Sequence, residues 1–195
     1  MKNGSKTVKD ARKILSPGAR AELAALGLGD AAGARRRPAG IDPVPGRPLV
    51  PKRAMRAPDV LNEAPAYPKP SSFSRGMRVD LPGASLLFIS GTASVDEAGA
   101  SRHPGDLRAQ CLRTFRNLTR LLASEGASWH DVARTTCYLK EIERDYEVFN
   151  EMRTMFFAAV GLDPLPASTG IQAILCRPEL LVEIEAVAVI PAGSR

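Results

Sequence analysis

Two glutamates near the end of the chain are spaced for acid–base chemistry. Glu183 and Glu185 lie in the largely apolar segment 181–190 and are separated by one residue, so in a β-strand both side chains project from the same face. A carboxylic acid that donates a proton near neutral pH needs a raised pKa, which partial burial in a cleft would supply. The alternative is that both carboxylates lie on a solvated face of a sheet.

Three further side chains could take part in this chemistry, and each has a structural alternative. Cys176 and Arg177 lie just before the strand. The thiol is either a nucleophile or a packed side chain, and no histidine nearby in the sequence could serve as its base. Arg177 is either an anion clamp or a loop charge next to Pro178. His103, which precedes the helix cap Asp106, is either catalytic or a turn residue.

The cysteine and histidine content argues against a metal centre. The chain has three cysteines, at positions 111, 137 and 176, no CxxC pair, and two histidines. A structural zinc site needs four closely arranged ligands of these types. We therefore expect no metal and no cofactor, and the unpaired thiols fit the reducing cytoplasm.

Composition divides the chain into two parts. Residues 1–72 hold ten of the sixteen prolines and fourteen Lys or Arg against six Asp or Glu, whereas residues 73–195 hold thirteen against fifteen. The net charge of +6 therefore belongs to the first part. We predict that residues 1–72 form a basic, proline-rich and largely disordered N-terminal extension, with one short helix at residues 19–26.

This extension bears on partners and location. A basic arm could bind nucleic acid, dock a partner or act as a targeting peptide, and the simpler interpretation is a solvated linker. A nucleic-acid partner is not expected, because the rest of the chain has no histidine pair for RNA cleavage and few aromatic residues. No stretch has the pattern of a membrane span or a secretory signal, so we expect a cytoplasmic protein without membrane contact.

Periodicity predicts the elements of the second part. Apolar residues spaced three and four apart predict helices after Asp106 and over residues 146–160. Two helices can cover only one face of a sheet, and the other face is also partly apolar, so we expect a neighbouring subunit to cover it. Segments rich in strand-forming residues predict strands up to residue 81 and at residues 85–90, 132–139, 168–175 and 181–190.

Several ordered motifs resemble those of the RidA/YjgF family of reactive-intermediate deaminases. They are residues 73–76 (FSRG), 89–92 (ISGT), 135–139 (TTCYL), Asn150 with residues 156–157, and the C-terminal run 166–186. The resemblance implies an α+β, chorismate-mutase-like fold over residues 73–195, in which a mixed sheet carries two helices on one face. It also implies a homotrimer with clefts between subunits, which would take a small carboxylate-bearing metabolite.

The resemblance also implies roles for residues at matched positions. Glu183 matches a glutamate that orients or activates water, and Ser90 and Gly91 match the strand end that lines the cleft. The remaining implied substrate contacts are Thr169, Asn150, Phe73 (tyrosine in many members) and Thr92 (frequently glutamine).

One position departs from the family pattern. Ser168 stands where deaminating members carry an arginine, whose guanidinium would hold the substrate carboxylate through two parallel hydrogen bonds. Ser168 is either a hydrogen-bond partner of the ligand or simply a small strand residue. We therefore predict Glu183-assisted hydrolysis of a carboxylate-bearing metabolite other than a standard 2-imino acid. A trimeric metabolite-binding or regulatory protein without catalysis is the alternative.

A second resemblance is to the C-terminal half of chorismatases. It rests on residues 73–75, 90–94, 103–106 and 176–183. It implies that Glu183 or Glu185 protonates an enol ether while Arg75 and Arg177 hold carboxylates. Chorismatases are about twice as long as this chain, so this resemblance indicates a similar site shape and adds a chorismatase-like hydrolase as a further alternative.

Overall fold

The structure, a computed structural model, describes residues 13–28, 40–67 and 70–193. The chain divides into two compact units, residues 1–49 and 50–195. In the first unit, helix α1 (Pro17–Ala25) begins after Ser16, whose Oγ accepts a hydrogen bond from the amide of Ala19 at 3.2 Å. This confirms the predicted short helix. The disorder expected of residues 1–12 and 29–39 lies outside the described residues.

The second unit contains a six-stranded mixed sheet and two long helices. The strands are β1 (Lys52–Ala54), β2 (Gly76–Leu81), β3 (Ala84–Ala93), β4 (Val132–Leu139), β5 (Ala167–Gln172) and β6 (Val182–Pro191), and the helices are α2 (Leu107–Ala123) and α3 (Ile142–Ala159). The strand order is β1-β2-β3-β6-β4-β5, with β4 and β5 parallel and the other neighbours antiparallel. The predicted α+β class and mixed sheet are confirmed.

Strand β6 joins the two halves of the sheet, because it pairs with β3 on one side and β4 on the other. Its alternate residues are at most 2% exposed and belong to one apolar cluster with residues of both helices; they are Val182, Ile184, Ala186 and Ala188. The residues between them are partly exposed on the opposite face of the sheet. One strand therefore supplies both the core and the uncovered face.

The two helices pack through their apolar stripes. The carboxylate of Asp106 caps α2 by accepting a hydrogen bond from the amide of Ala109 at 3.0 Å. The rings of Phe115 in α2 and Phe156 in α3 stack with centroids 4.7 Å apart. The predicted stripe of α2 is buried, and consists of Leu107, Cys111, Phe115, Leu118 and Leu122.

The folded unit begins earlier than the predicted boundary at residue 73. Strand β1 pairs with β2, and Met55 and Leu61 are fully buried. Arg53 donates to the 4%-exposed carboxylate of Glu125 at 2.8 Å, which ties this segment to the end of α2. The sequence concealed this segment because prolines interrupt it, so its few apolar residues form no period, and only contacts distant in sequence bury them.

We expect Met55→Ala to lower the free energy of unfolding by about 2–5 kcal/mol, because it removes a fully buried side chain and leaves a cavity. Urea denaturation would measure the change. Met155→Ala is the matched control, since Met155 is 52% exposed in α3 and its truncation leaves no cavity. Equal stability of Met55→Ala and the native chain would mean that residues 50–67 are not part of the folded unit.

Candidate functional site

The candidate site is built around an irregularity in the β3–β6 ladder. The pairing register shifts between Ile89 and Thr92, so Ser90 and Gly91 together occupy the place of one residue. The carboxylate of Glu183 lies directly against Gly91, where a Cβ atom would overlap its Oε1 and approach its Cδ to 2.9 Å. Glycine is therefore required for the Glu183 side chain to lie where it does.

The surroundings of Glu183 favour its protonated form. The side chain is half-buried on the uncovered face of the sheet. Burial raises the pKa of Glu183 and the negative charge of Glu185 raises it further, whereas the positive charges of Arg177 and Arg75 partly offset both effects. A carboxyl group with a raised pKa exchanges protons nearer neutral pH, which is the property expected of a general acid or base.

Glu185, one pair further along β6, has a tyrosine partner. Tyr138 on β4 donates a hydrogen bond from its hydroxyl to Oε2 of Glu185 at 2.9 Å, and this bond raises the pKa of Tyr138. The sheet register places Tyr138 directly beside Glu183. Two carboxylates and a phenol thus lie side by side, with Glu185 held as the acceptor and Glu183 without a hydrogen bond among the described residues.

Arg75 and Phe73, two of the residues expected to contact substrate, lie in the segment next to the irregularity. Ser90 donates its amide to the carbonyl of Arg75 at 3.0 Å and its hydroxyl to the carbonyl of Ser74 at 2.8 Å. The buried guanidinium of Arg75 donates to the carbonyl of Asn62 at 2.6 Å and to the hydroxyl of Tyr67. The ring of Tyr67 also packs edge-on against Phe73, with centroids 6.4 Å apart.

Arg177 lies in the loop before β6 and is held there by other loops. It donates to the carbonyl of Gly99 and to Oγ of Ser101 at 3.2 Å. The buried Gln110 of α2 fixes the same loop, because it donates to the carbonyl of Glu179 at 2.9 Å and accepts from the amide of Leu181 at 2.8 Å. Cys176 is an exposed free thiol in this loop.

A second group of predicted residues lies at the β5 edge, on the helix-facing side. Oγ of Ser168 accepts hydrogen bonds from Thr135 at 3.0 Å and from Arg153 of α3 at 2.9 Å. Arg153 also donates to Oδ1 of Asn150 at 2.7 Å. Ser168 and Asn150, two of the expected substrate contacts, are thus linked through Arg153, which the sequence did not single out.

The structure separates these two groups within one subunit. Ser168 contacts Thr135, which faces the helices, whereas Glu183 lies on the other face of the sheet. The two predicted residues therefore do not share a cleft in a single chain. Thr169, the neighbour of Ser168, points to the uncovered face, where its Oγ1 accepts a hydrogen bond from Arg134 at 3.0 Å.

Thr92 differs from its predicted role as a substrate contact. It pairs with the buried Ile184 and is only 2% exposed, so its side chain points toward the helices. Its hydroxyl donates to the carbonyl of Ser90 at 2.9 Å. The register shift between residues 89 and 92 explains the difference, because it changes which side chains reach the site face. Thr92 instead stabilises the irregular turn of β3.

The uncovered face also forms a cavity that the sequence analysis missed. Its volume is about 290 Å³, and it contains both charged and apolar groups. No local pattern reveals it, because its walls come from three strands that are distant in sequence. The main side chains lining it are Phe88, Ser90, Arg134, Thr136, Glu185 and Val187.

The described parts of the chain contain neither a cluster of metal ligands nor a helix able to cross a membrane. Within residues 13–28, 40–67 and 70–193, no three His, Cys, Asp or Glu side chains are grouped to hold a metal ion. The two histidines lie near different parts of α2. The carbonyl of His103 accepts a hydrogen bond from Gln110. Trp129, the neighbour of His130, donates to Thr119, which lies more than two helical turns beyond Gln110. No helix of the described part could cross a membrane.

Comparison with known proteins identifies clear relatives of this chain. The family model described as endoribonuclease L-PSP matches residues 67–190. A RutC family protein of Pyrococcus abyssi is 28% identical over 122 residues, covering 62% of this chain and 89% of that protein. The mouse 2-iminobutanoate/2-iminopropanoate deaminase is 28% identical over 127 residues, covering 65% of this chain and 86% of that protein.

Two further comparisons concern the fold and the second resemblance. The crystal structure of the Escherichia coli YjgF gene product superposes with a TM-score of 0.56 at 25% identity, covering 70% of this chain and 98% of that chain. A chorismatase of Streptomyces rapamycinicus is 31% identical over 127 residues, covering 62% of this chain. This chain spans only 37% of the length of that chorismatase.

We expect Glu183→Gln to increase the stability of the protein at neutral pH. A raised native pKa means that the folded state binds more protons than the unfolded state between pH 4.5, the ordinary value, and the raised value. The stability of the native chain therefore decreases as the pH rises through this window, and Gln carries no such cost. Melting temperatures measured from pH 4 to pH 8 should diverge with rising pH. Glu147→Gln, on the exposed face of α3, is the control.

If the two melting curves stay parallel at every pH, Glu183 is not destabilised in the native state, and the electrostatic picture of the site is wrong.

Proposed function

The chain belongs to the RidA/YjgF family, and on that premise we propose that it is a hydrolytic, Rid-type enzyme that uses Glu183 on a carboxylate-bearing metabolite. The observation that carries this proposal is the position of Glu183, half-buried against Gly91 with a raised pKa. The burial of this carboxyl costs more than its attraction to Arg177 and Arg75 returns, which is more typical of a functional group than of a structural one.

Imine hydrolysis suits this arrangement, although Ser168 in place of the family arginine argues against a standard 2-imino acid as the substrate. A 2-imino acid and water give a 2-oxo acid and ammonia, R–C(=NH)–COO⁻ + H₂O → R–CO–COO⁻ + NH₃. The water oxygen gives up both of its protons, one as it adds to the carbon and one as the carbonyl forms, and the nitrogen gains both before it leaves as ammonia. One carboxyl group can relay each proton in turn if its pKa lies near the working pH.

The cleft itself is proposed to form between two copies of the chain in a homotrimer. The support is that the Glu183 group and the Ser168 group lie on different faces of one sheet, so one substrate could touch both only across a subunit boundary. The uncovered face also exposes apolar side chains that a second copy would bury, including Phe88 (44% exposed) and Ile171 (41% exposed).

A chorismatase-like hydrolysis is the second candidate, and it is favoured by the 31% identity to a chorismatase. There an enolpyruvyl ether and water give pyruvate and an alcohol, CH₂=C(OR)–COO⁻ + H₂O → CH₃–CO–COO⁻ + ROH. The first step is transfer of a proton from a carboxylic acid to the terminal carbon, for which a protonated Glu183 is suited. This chain spans 37% of the length of that chorismatase, so the proposal carries over the type of reaction and not the substrate of the whole chorismatase.

The test is turnover of both substrate classes by the native chain and by Glu183→Gln. 2-Iminopropanoate would be generated in situ from alanine by an amino-acid oxidase, with its hydrolysis followed against semicarbazide trapping, and chorismate would be supplied directly. We expect Glu183→Gln to reduce kcat about 10²–10⁴-fold on the true substrate, because it removes the proton-transfer group. Glu147→Gln should retain native turnover.

The outcomes separate the competing functions. Turnover by the native chain that survives in Glu183→Gln would contradict the proposed role of Glu183. If neither class is turned over and Glu183→Gln changes only affinity for 2-oxo acids, the protein is a metabolite-binding protein without catalysis.

Gly91→Ala is an independent variant, since its added Cβ displaces the carboxylate of Glu183 and should also reduce turnover without unfolding the chain.

The direction of the pH dependence should distinguish the two chemistries. If Glu183 must donate a proton to carbon, kcat should fall as the pH rises through its raised pKa, because the acid form is lost. If Glu183 must first accept a proton from water, kcat should rise through the same range. The pH profile of kcat for the native chain, with Glu183→Gln as the flat control, measures the difference.

A further inference from the structure

One arginine at the β5 edge is held in place by neutral groups. Arg153 of α3 donates from one terminal nitrogen to Oγ of Ser168 at 2.9 Å and from the other to Oδ1 of Asn150 at 2.7 Å. Its guanidinium carbon also lies 5.2 Å from the centre of the Phe149 ring. Three contacts thus fix the orientation of this side chain.

The positive charge of Arg153 has no matching negative charge nearby. Among the residues that the structure describes, no carboxylate lies within 4.0 Å of it, so it forms no ion pair. Other arginines on the same two helices do pair, as Arg108 does with Glu151 at 2.9 Å and Arg144 with Asp145 at 2.7 Å. An oriented, unmatched guanidinium is the arrangement that recognises an anion.

The donor count leaves room for a carboxylate. A guanidinium has five N–H groups, and Ser168 and Asn150 take one from each terminal nitrogen. The three that remain include one on each terminal nitrogen and the one on Nε. Neighbouring donors on two nitrogens are what a carboxylate needs to bind through both of its oxygens.

We propose that Arg153 is the carboxylate clamp of this protein, delivered from helix α3 to the position of Ser168. The inference deepens the proposed function, because it assigns the substrate's carboxylate to a particular residue. Ser168 then has a definite role: its small side chain leaves the space that the guanidinium occupies, and its hydroxyl orients it. Asn150, three residues earlier on the same helix face, supports the other end.

The placement also narrows the substrate class. In both proposed reactions the carboxylate is bonded directly to the carbon that water attacks, and pyruvate is the product of 2-iminopropanoate and of an enolpyruvyl ether alike. A clamp for that carboxylate should therefore bind pyruvate itself. It should discriminate against pyruvamide, which has nearly the same shape but carries no charge.

The experiment is a binding measurement that does not depend on turnover. Titration calorimetry or ligand-detected NMR with pyruvate and pyruvamide would be run on the full chain, as the native protein, Arg153→Gln, Arg153→Lys, Arg116→Gln and Glu183→Gln. Arg116 is exposed on α2 and controls for the loss of one positive charge. Light scattering on every variant would report its oligomeric state.

We expect Arg153→Gln to weaken pyruvate binding about tenfold or more, because a hydrogen bond to a charged group is lost, and to leave pyruvamide binding unchanged. Arg153→Lys should recover only part of the affinity, since an ammonium cannot bind both oxygens in one plane. Arg116→Gln should bind pyruvate as the native chain does. Glu183→Gln removes a negative charge from the proposed cleft, so it should bind the pyruvate anion at least as tightly as the native chain.

Ser168→Arg provides an independent measurement. If the site had no clamp, this variant would bind pyruvate more tightly; if Arg153 already fills the place, the second guanidinium repels the first and binding weakens. Tighter binding by Ser168→Arg would overturn the inference. No pyruvate binding by the native chain, equal affinity in Arg153→Gln, or a change of oligomeric state in Arg153→Gln would also overturn it.

The inference and the proposed function can fail separately. If Arg153→Gln loses pyruvate affinity while Glu183→Gln keeps full turnover, the clamp is supported and the catalytic role of Glu183 fails. If Glu183→Gln loses turnover while Arg153→Gln binds pyruvate normally, the catalytic role is supported and the clamp is wrong.

Discussion

The two-residue alternation of strand β6 is the constraint on which the rest of the structure depends. Its even-numbered residues from 182 to 188 fill the core beneath the helices, while Glu183 and Glu185 occupy the opposite face. A slip of one residue would bury both carboxylates under the helices and expose the apolar set, which neither face could tolerate. The core therefore determines where the two carboxylates can be.

The irregularity in β3 creates the space in which the Glu183 side chain lies on this face. By inserting an extra residue opposite β6, it brings a glycine to the point that Glu183 covers and turns Thr92 inward. Tyr138 and Arg134, contributed by β4, complete the polar part of the same face. These features depend on pairing between strands that are far apart in sequence, so the site is a property of the sheet rather than of any one segment.

Guanidinium groups are distributed unevenly around this sheet. Arg75 and Arg177 moderate the charge of Glu183, but their guanidinium groups already donate to backbone carbonyls. Arg153 instead rests on a hydroxyl and an amide oxygen, with its charge unmatched. Position 168 of strand β5 carries a serine instead of the family arginine. The positive charge at the β5 edge therefore comes from Arg153 of helix α3.

The sequence by itself predicted the main helices and strands of residues 73–195 and the presence of two carboxylates on one strand face, because these follow from short-range periodicity. The α+β class was implied by the family resemblance. The sequence did not reveal that residues 50–67 join the sheet, because their apolar residues are separated by prolines and are buried only through contacts with distant strands. It identified Ser168 as a lost arginine but not Arg153 as its neighbour. Only the tertiary structure decided that point, since helix α3 and strand β5 meet through packing that no local pattern encodes.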